Sequence, residues 1–342
     1  MPDAAARHRL PRLIGTWAGA VLSPSGLAMR RIALAGVIAS AIIIPSGAAV
    51  RLSKSGLGCT DWPKCTATSL IAAGATGDPL VHRWVEFGNR LVTDAIFVVA
   101  VVVFVAAWRY RDGRTRGRRR DLVALAAAQP AGIAAQAVIG GIVVLTHLAP
   151  VWVSLHFIAT LPVLAAAVVL HVRCTEGTGP PVPLVQPLVR LVALGLAAVT
   201  ALMMIAGTLV TGTGPLSGAS HVHRYHFLSL TQVTQLHADI GWVLGTIAVM
   251  FLLSVMLTDA PARVVRLAWL VLALIGLQGA VGYAQYFAHL PAGLVWVHVA
   301  STALIWIAVI RLNLALRHRG EPAAAPALAG AAGALSGDPG MR

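Results

Sequence analysis

The sequence predicts an all-α membrane protein: eight transmembrane helices arranged as two repeated four-helix bundles. Three observations carry that reading. Of 342 residues, 58% are hydrophobic and only 11% are charged, where a soluble globular domain carries roughly 25% charged residues. The apolar residues fall into long runs separated by short polar segments, each long enough for a spanning helix of about 20 residues. Finally, marked polar residues recur at fixed spacing in the two halves of the chain.

The spans are expected near residues 32–50, 84–107, 122–145, 152–172, 189–211, 233–257, 265–286 and 292–314. The first follows Arg30 and Arg31. The second contains Ala95–Trp108, almost wholly apolar and without the alternation of a barrel strand. The third follows Arg109–Arg120, which holds seven Arg against one Asp. The fourth opens with His156 and stops before Arg173, and Arg190 marks the start of the fifth. Arg263 and Arg266 separate the sixth from the seventh, and Arg317 and Arg319 follow the eighth. With eight spans, all but Arg51, Lys54, Lys64, Arg83, Arg90 and Arg224 of the 26 basic residues fall on one side. By the positive-inside rule that side is the cytoplasm and holds both termini, in a multi-pass plasma-membrane protein. The net charge of +14 is thus a record of orientation and gives no reason to expect nucleic acid. No cleavable signal peptide is expected at Leu13–Leu22. Residues 1–30 read as a cytoplasmic segment and 319–342, rich in Ala, Gly and Pro, as a disordered cytoplasmic tail.

Gln136–Gly140 resembles Gln278–Gly282. A His stands eleven residues beyond each Gln (His147, His289) and another twenty beyond (His156, His298), with Pro150 and Pro291 between. Ser46–Val50 resembles Ala206–Val210. The halves are therefore read as copies, residues 31–175 and 186–318, related by an axis along the membrane normal.

Ionisable groups inside a bilayer are costly and so point to function. His82, Glu86 and Asn89 share one face of the second span at i, i+4, i+7. His156 opens the fourth span, His237 and Asp239 the sixth, and His298 the eighth. Bundles hold cofactors between inward-facing side chains, and two neutral His on facing helices suit a low-spin heme iron. Zinc would call for three or four ligands. Each His taken alone is as readily a helix-packing residue; recurrence in both halves favours ligands. His147 and His289 fall in outer loops, and His221, His223 and His226 form a His-rich loop without Cys or carboxylate. Cys59 and Cys65 lie on the outer side, where a disulfide is permitted; Cys174, on the other side, reads as a free structural thiol.

Val50–Cys65, Glu86–Arg90, Gln136–Gly141, Leu236–Asp239 and Val297–Ala300 together resemble the heme A synthase family, over residues 30–315. The resemblance implies oxidation of the C8 methyl of heme O to a formyl group, giving heme A for cytochrome c oxidase. It implies that His237 and His298 ligate a resident heme b, that His156 ligates the substrate heme, that Glu86 is catalytic, and that Cys59 and Cys65 are a disulfide-forming pair. On that resemblance heme O is expected to enter the first half from the bilayer, and Glu86, with Arg90 one turn on, is expected to balance charge or take a proton at the methyl. Expected partners are heme O, heme O synthase, an electron acceptor that the sequence does not identify, membrane lipid and a second copy of the chain. Two departures matter. Asn89 stands where the family has its other substrate-heme His, so the iron is expected to be five-coordinate, water-ligated or bound from elsewhere, with His82 the substitute on the same face. No second Cys pair occurs between Thr211 and Gln232.

The alternatives are a bis-His b-type electron-transfer cytochrome, which leaves the incomplete His pair of the first half unexplained, and a transporter suggested by the repeat, Glu86 and Asp239.

Overall fold

The computed structural model describes residues 19–72, 78–113, 117–219, 222–227 and 229–320. Most of the expected N-terminal segment, nearly all of the expected tail, and His8 and His221 lie outside the described residues. Among the described residues nine helices build the spans: α1 (Gly26–Leu52), α2 (Asp78–Arg109), α3 (Arg120–Leu145), α4 (Pro150–Ile158), α5 (Thr160–Arg173), α6 (Pro187–Thr213), α7 (Leu230–Leu257), α8 (Ala262–Phe287) and α9 (Ala292–Ala315). With α4 and α5 counted as one span, eight are long and apolar enough to cross a membrane.

Local chemistry explains the ends. Ser25 caps α1 by accepting from Ala28 N–H at 3.2 Å. The helix thus begins well before Arg30 and Arg31, which the hydropathy pattern had placed ahead of the span. At α7, Ser229 and Gln232 form a reciprocal capping box, each side chain accepting from the other's backbone N–H. The fourth span is broken at Ala159. Pro162 has no N–H to offer the carbonyl of Ile158, and its ring crowds that carbonyl. The break lies just past His156.

The ends of α3 and α8 share one turn. Leu148 N–H bonds the Val143 carbonyl and Leu290 N–H the Gln285 carbonyl, each at 2.8 Å. His147, Leu148, His289 and Leu290 all have φ between 53° and 61°, the left-handed conformation that closes a helix with a six-to-one bond. The two His that were expected in loops therefore occupy equivalent turn positions, both exposed.

Packing follows a ring within each half. In the first, α1 packs on α2, α2 on α3, α3 on α4 and α5, and α5 returns to α1. In the second, α6, α7, α8 and α9 close the same way. The rings meet where α9 touches α1 and α5, and where α4 touches α6. Two indoles stitch this seam, Trp306 donating to the Leu161 carbonyl and Trp296 to the Pro45 carbonyl, each at 2.9 Å.

The ends of the molecule differ. One carries the loop with Cys59 and Cys65, and is called here the disulfide end. At the other, the arginine end, Asp121 accepts from the nearly buried Arg119 and Arg173, with N–O distances of 2.8 and 2.6 Å. Arg173 also pairs with Glu176 at 2.7 Å. Beside them a two-residue strand β1 (Val182–Pro183) pairs antiparallel with β2 (Arg317–His318). Arg319 and Gly320, where the expected tail begins, bond backbone groups of Gly179 and Gly177. The tightly packed cores also lie at this end: Met29, Val103, Leu122 and Leu170 in the first ring, and Leu196, Phe251, Val255 and Leu312 in the second. The inward-facing His lie towards the disulfide end, beyond those cores.

Candidate functional site

The second ring brings His237 of α7 and His298 of α9 together, with ring centroids 6.3 Å apart and ring planes at 67°. Metal–imidazole bonds are about 2.0–2.1 Å; two rings flanking one metal then have facing nitrogens about 4 Å apart and centroids a little over 6 Å apart. The observed spacing fits that arrangement. It is too wide for the two rings to hydrogen-bond one another directly and still pack as neighbours. The Nδ1 atoms of both, and of His156, are buried without a hydrogen-bond partner among the described residues. The backbone of Met203 lies beside the His237 ring and that of Gln278 beside His298, near enough to interact but outside hydrogen-bond geometry. Such carbonyls are the usual partners that orient a metal-bound imidazole.

Each ring is seated against a glycine on the neighbouring helix. A Cβ on Gly207 would lie 3.2 Å from His237 Cε1, on Gly282 3.2 Å from His298 Cε1, and on Gly140 3.2 Å from His156 Cε1. Any side chain there would press on the ring. In the sequence these glycines stand only as marks of the repeat. Their role is close approach, and the signal that could have found it is Gly four residues after Gln in both halves, on the same helix face.

Those two Gln act on the backbone of the His-bearing helices. Gln278 Nε2 donates to the His298 carbonyl at 2.7 Å, and its Oε1 accepts from Ser301 Oγ at 2.6 Å. Gln136 Nε2 donates to the His156 carbonyl at 3.0 Å, but its Oε1 is buried and unpaired. The second-half arrangement is fully satisfied; the first-half one is not.

The first ring differs in its remaining members. Glu86, 5% exposed, is held on both oxygens: Oε1 accepts from Arg90 at 2.9 Å and Oε2 from Cys59 N–H at 2.8 Å. Arg90 also donates to the carbonyls of Lys64 at 2.9 Å and Asp61 at 3.1 Å. The loop is closed by a Cys59–Cys65 disulfide whose cysteines are fully buried. Gly58 packs so closely on the His82 backbone that no side chain fits there. Trp62, at the loop tip, lies on α3 where a Cβ at Gly141 would meet its Cδ2 at 2.6 Å. The loop thus wraps the Glu86–Arg90 pair and reaches the residue beside the Gly140 seat of His156. Arg90 was expected near Glu86; its grip on the loop, and the place of Trp62, were not foreseen.

Asn89 accepts on Oδ1 from Ser46 Oγ of α1 at 2.7 Å. His82 instead turns to the loop, with Nδ1 2.8 Å from the buried Ser55 Oγ. Asp239 is exposed and accepts from Gln235 at 2.7 Å. Among the described residues no group of three or more His, Cys, Asp or Glu is arranged to hold a metal ion. The donor set is therefore a two-His pair in one ring and a single His in the other.

No curated protein matches the chain. The profile of the COX15-CtaA family, described as cytochrome oxidase assembly protein, matches residues 30–310 and so takes in nearly all of the eight spans, the disulfide loop and His156, His237 and His298. The chain belongs to this family of cytochrome oxidase assembly proteins, the heme A synthase family.

Proposed function

We propose that the chain is a heme A synthase, a membrane oxidoreductase that converts the C8 methyl of heme O to a formyl group. The observation that carries this reading is the His237–His298 pair: 6.3 Å between centroids, with buried Nδ1 atoms that the described residues leave unbonded. These residues would hold heme b in the second ring. Heme b, when bound, supplies one-electron redox chemistry, suited to passing substrate electrons to an external acceptor.

In the first ring His156, seated on Gly140 and steadied through its carbonyl by Gln136, holds the substrate. Glu86 is the candidate catalytic group. Arg90 and Cys59 N–H fix its orientation through charge-assisted bonds, so the carboxylate is held at one rotamer where α2 meets the disulfide loop. From there it balances positive charge developing at the methyl or takes up a proton from it. The family's role in cytochrome oxidase assembly supports the product's destination, and the matched seats of His156 and His298 support descent of the halves from one repeat. We place the arginine end and both termini in the cytoplasm of the cell membrane, with heme O synthase supplying the substrate.

The test is pigment analysis. The chain is expressed with heme O synthase, and extracted hemes are chromatographed. Heme A is expected from the wild-type chain and not from Glu86→Ala, while His237→Ala loses the heme b absorbance. Unconverted heme O beside an intact heme b spectrum would instead assign an electron-transfer cytochrome.

A further inference from the structure

Three of the inward-facing His sit against a glycine of the neighbouring helix, and a fourth such seat exists without its ring. In the second ring Gly207 of α6 faces His237. In the first, Gly47 occupies the corresponding place of α1, within Ser46–Val50, the segment that resembles Ala206–Val210. Gly36, Ser40, Ile43 and Gly47 share one stripe of α1 by helical spacing. Gly36 meets Gln129 and Val103, and Ile43 packs with Ile96, Ala100 and Ile133, so the stripe faces the bundle interior. Nothing lies within 4 Å of a Cβ at Gly47, and the residue is exposed although its stripe points inward. The side chain next to it, Ser46, bonds Asn89. Where the second ring has Ala206 and His237, the first has Ser46 and Asn89.

His82 does not fill that space. It stands seven residues, about 10 Å, nearer the disulfide end than Asn89, and its ring is engaged by Ser55. Glu86 is taken on both oxygens. Asn89 spends Oδ1 on Ser46, so the free end of its amide is Nδ2, a donor.

Resting on the heme reading above, we propose that the first ring gives its substrate heme one protein iron ligand, His156. The opposite face, beside Asn89 and Gly47, is then open to a small exogenous ligand, for which Asn89 Nδ2 is the hydrogen-bond donor. Asn89 is in this view a positioning residue for that ligand, and the second ring, closed by two imidazoles, admits none.

The test uses the purified holoprotein from cells making heme O, with carbon monoxide as the probe on the dithionite-reduced form. Optical and resonance Raman spectra of wild type are expected to show one heme binding carbon monoxide and one inert low-spin heme. Asn89→His, with an imidazole placed against Gly47, is expected to abolish carbon monoxide binding and turn the first-ring heme low-spin. Asn89→Ala keeps the binding but shifts the C–O stretching frequency, since the donor is gone. An unchanged second-ring heme spectrum shows that each variant is folded. Two low-spin hemes inert to carbon monoxide in wild type, or undiminished binding in Asn89→His, overturn this inference and leave the functional reading standing. A wild-type protein that holds no heme overturns both.

Discussion

Replacing each of the two equivalent glutamines by leucine should have unequal effects. In Gln278→Leu the lost interactions are the Nε2 bond to the His298 carbonyl and the bond accepted from Ser301. Hydrogen bonds between membrane helices average about 0.6 kcal/mol and reach about 1.7. Two short ones place the cost at about 1–2 kcal/mol. Ser301 keeps its bonds to the Val297 and His298 carbonyls, so no new orphan adds to that figure. In Gln136→Leu one longer bond is lost, about 0.6 kcal/mol on the same scale. The buried, unpaired Oε1 also disappears, and an unsatisfied buried acceptor costs roughly 1–3 kcal/mol. That variant should be neutral or slightly stabilised. Equilibrium unfolding in mixed detergent micelles, followed by far-UV circular dichroism, reads both. A Gln136→Leu protein destabilised as much as Gln278→Leu would refute the claim that the two sites differ in hydrogen-bond satisfaction.

At the arginine end, Asp121→Asn removes the carboxylate facing two nearly buried guanidiniums. Breaking such a pair costs roughly 3–5 kcal/mol when fully buried. With Asp121 partly exposed, about 2–3 is expected, read as loss of detergent-stable protein in the same unfolding assay. Burial pushes the Cys174 thiol up from 9.0 to about 12, the nearby Arg119 and Arg173 offsetting only part of that. Maleimide labelling at pH 8 should then run roughly a thousand-fold slower than for an ordinary thiol, because the thiolate is the reactive form. The raised value favours folding at low pH, and that contribution is lost as pH climbs past 9; a labelling rate that plateaus below pH 10 contradicts it. Gly141→Leu must displace Trp62 and with it the disulfide loop, so protease should cut within residues 59–69 of the variant and spare the wild type. Gly207→Val presses on the His237 ring, and on the proposed heme b reading heme content should fall several-fold while the fold, read by circular dichroism, persists.

Much of the architecture was legible because the bilayer leaves few solutions: apolar length sets the spans and arginine placement sets their ends. What escaped has physical reasons. The break at Ala159 depends on one missing N–H at Pro162, which hydropathy does not register, since Leu161–Leu164 is as apolar as any spanning turn. The start of α1 depends on a side-chain cap at Ser25 that lets two arginines stand inside a helix. At the site, the residue types were readable and their partners were not. Glu86 and Arg90 are one turn apart, so their pairing follows from spacing. The grip of Arg90 on the carbonyls of Asp61 and Lys64 needs the loop's own path. His82 and Asn89 share a face with Glu86 in sequence, yet one turns to Ser55 and the other to Ser46. Helical spacing tells which residues can meet the bundle interior; it does not tell which will be claimed by a loop.

The two rings are alike in scaffold and unlike in closure, and the difference bears on what each can do. In both, a glutamine bonds the carbonyl of a His and a glycine four residues on admits its ring. The second ring adds a second His on a third glycine and saturates its glutamine, an arrangement suited to holding a group permanently and letting only electrons through. With the halves read as copies, the first ring has Asn89 and Ser46 where the second has that His and its alanine neighbour. It leaves Gln136 half-satisfied, breaks its fourth span just past His156, and is covered by a loop held by a disulfide and by Arg90. Unsatisfied polar groups and interrupted helices are tolerated in membranes where they line a cavity. A site that must admit, turn over and release a bulky amphiphile needs that incompleteness, whereas a site that only relays electrons does not. On the proposed function, the asymmetry expected between a synthase and a passive cytochrome would lie in the hydrogen bonds as well as in the histidine count.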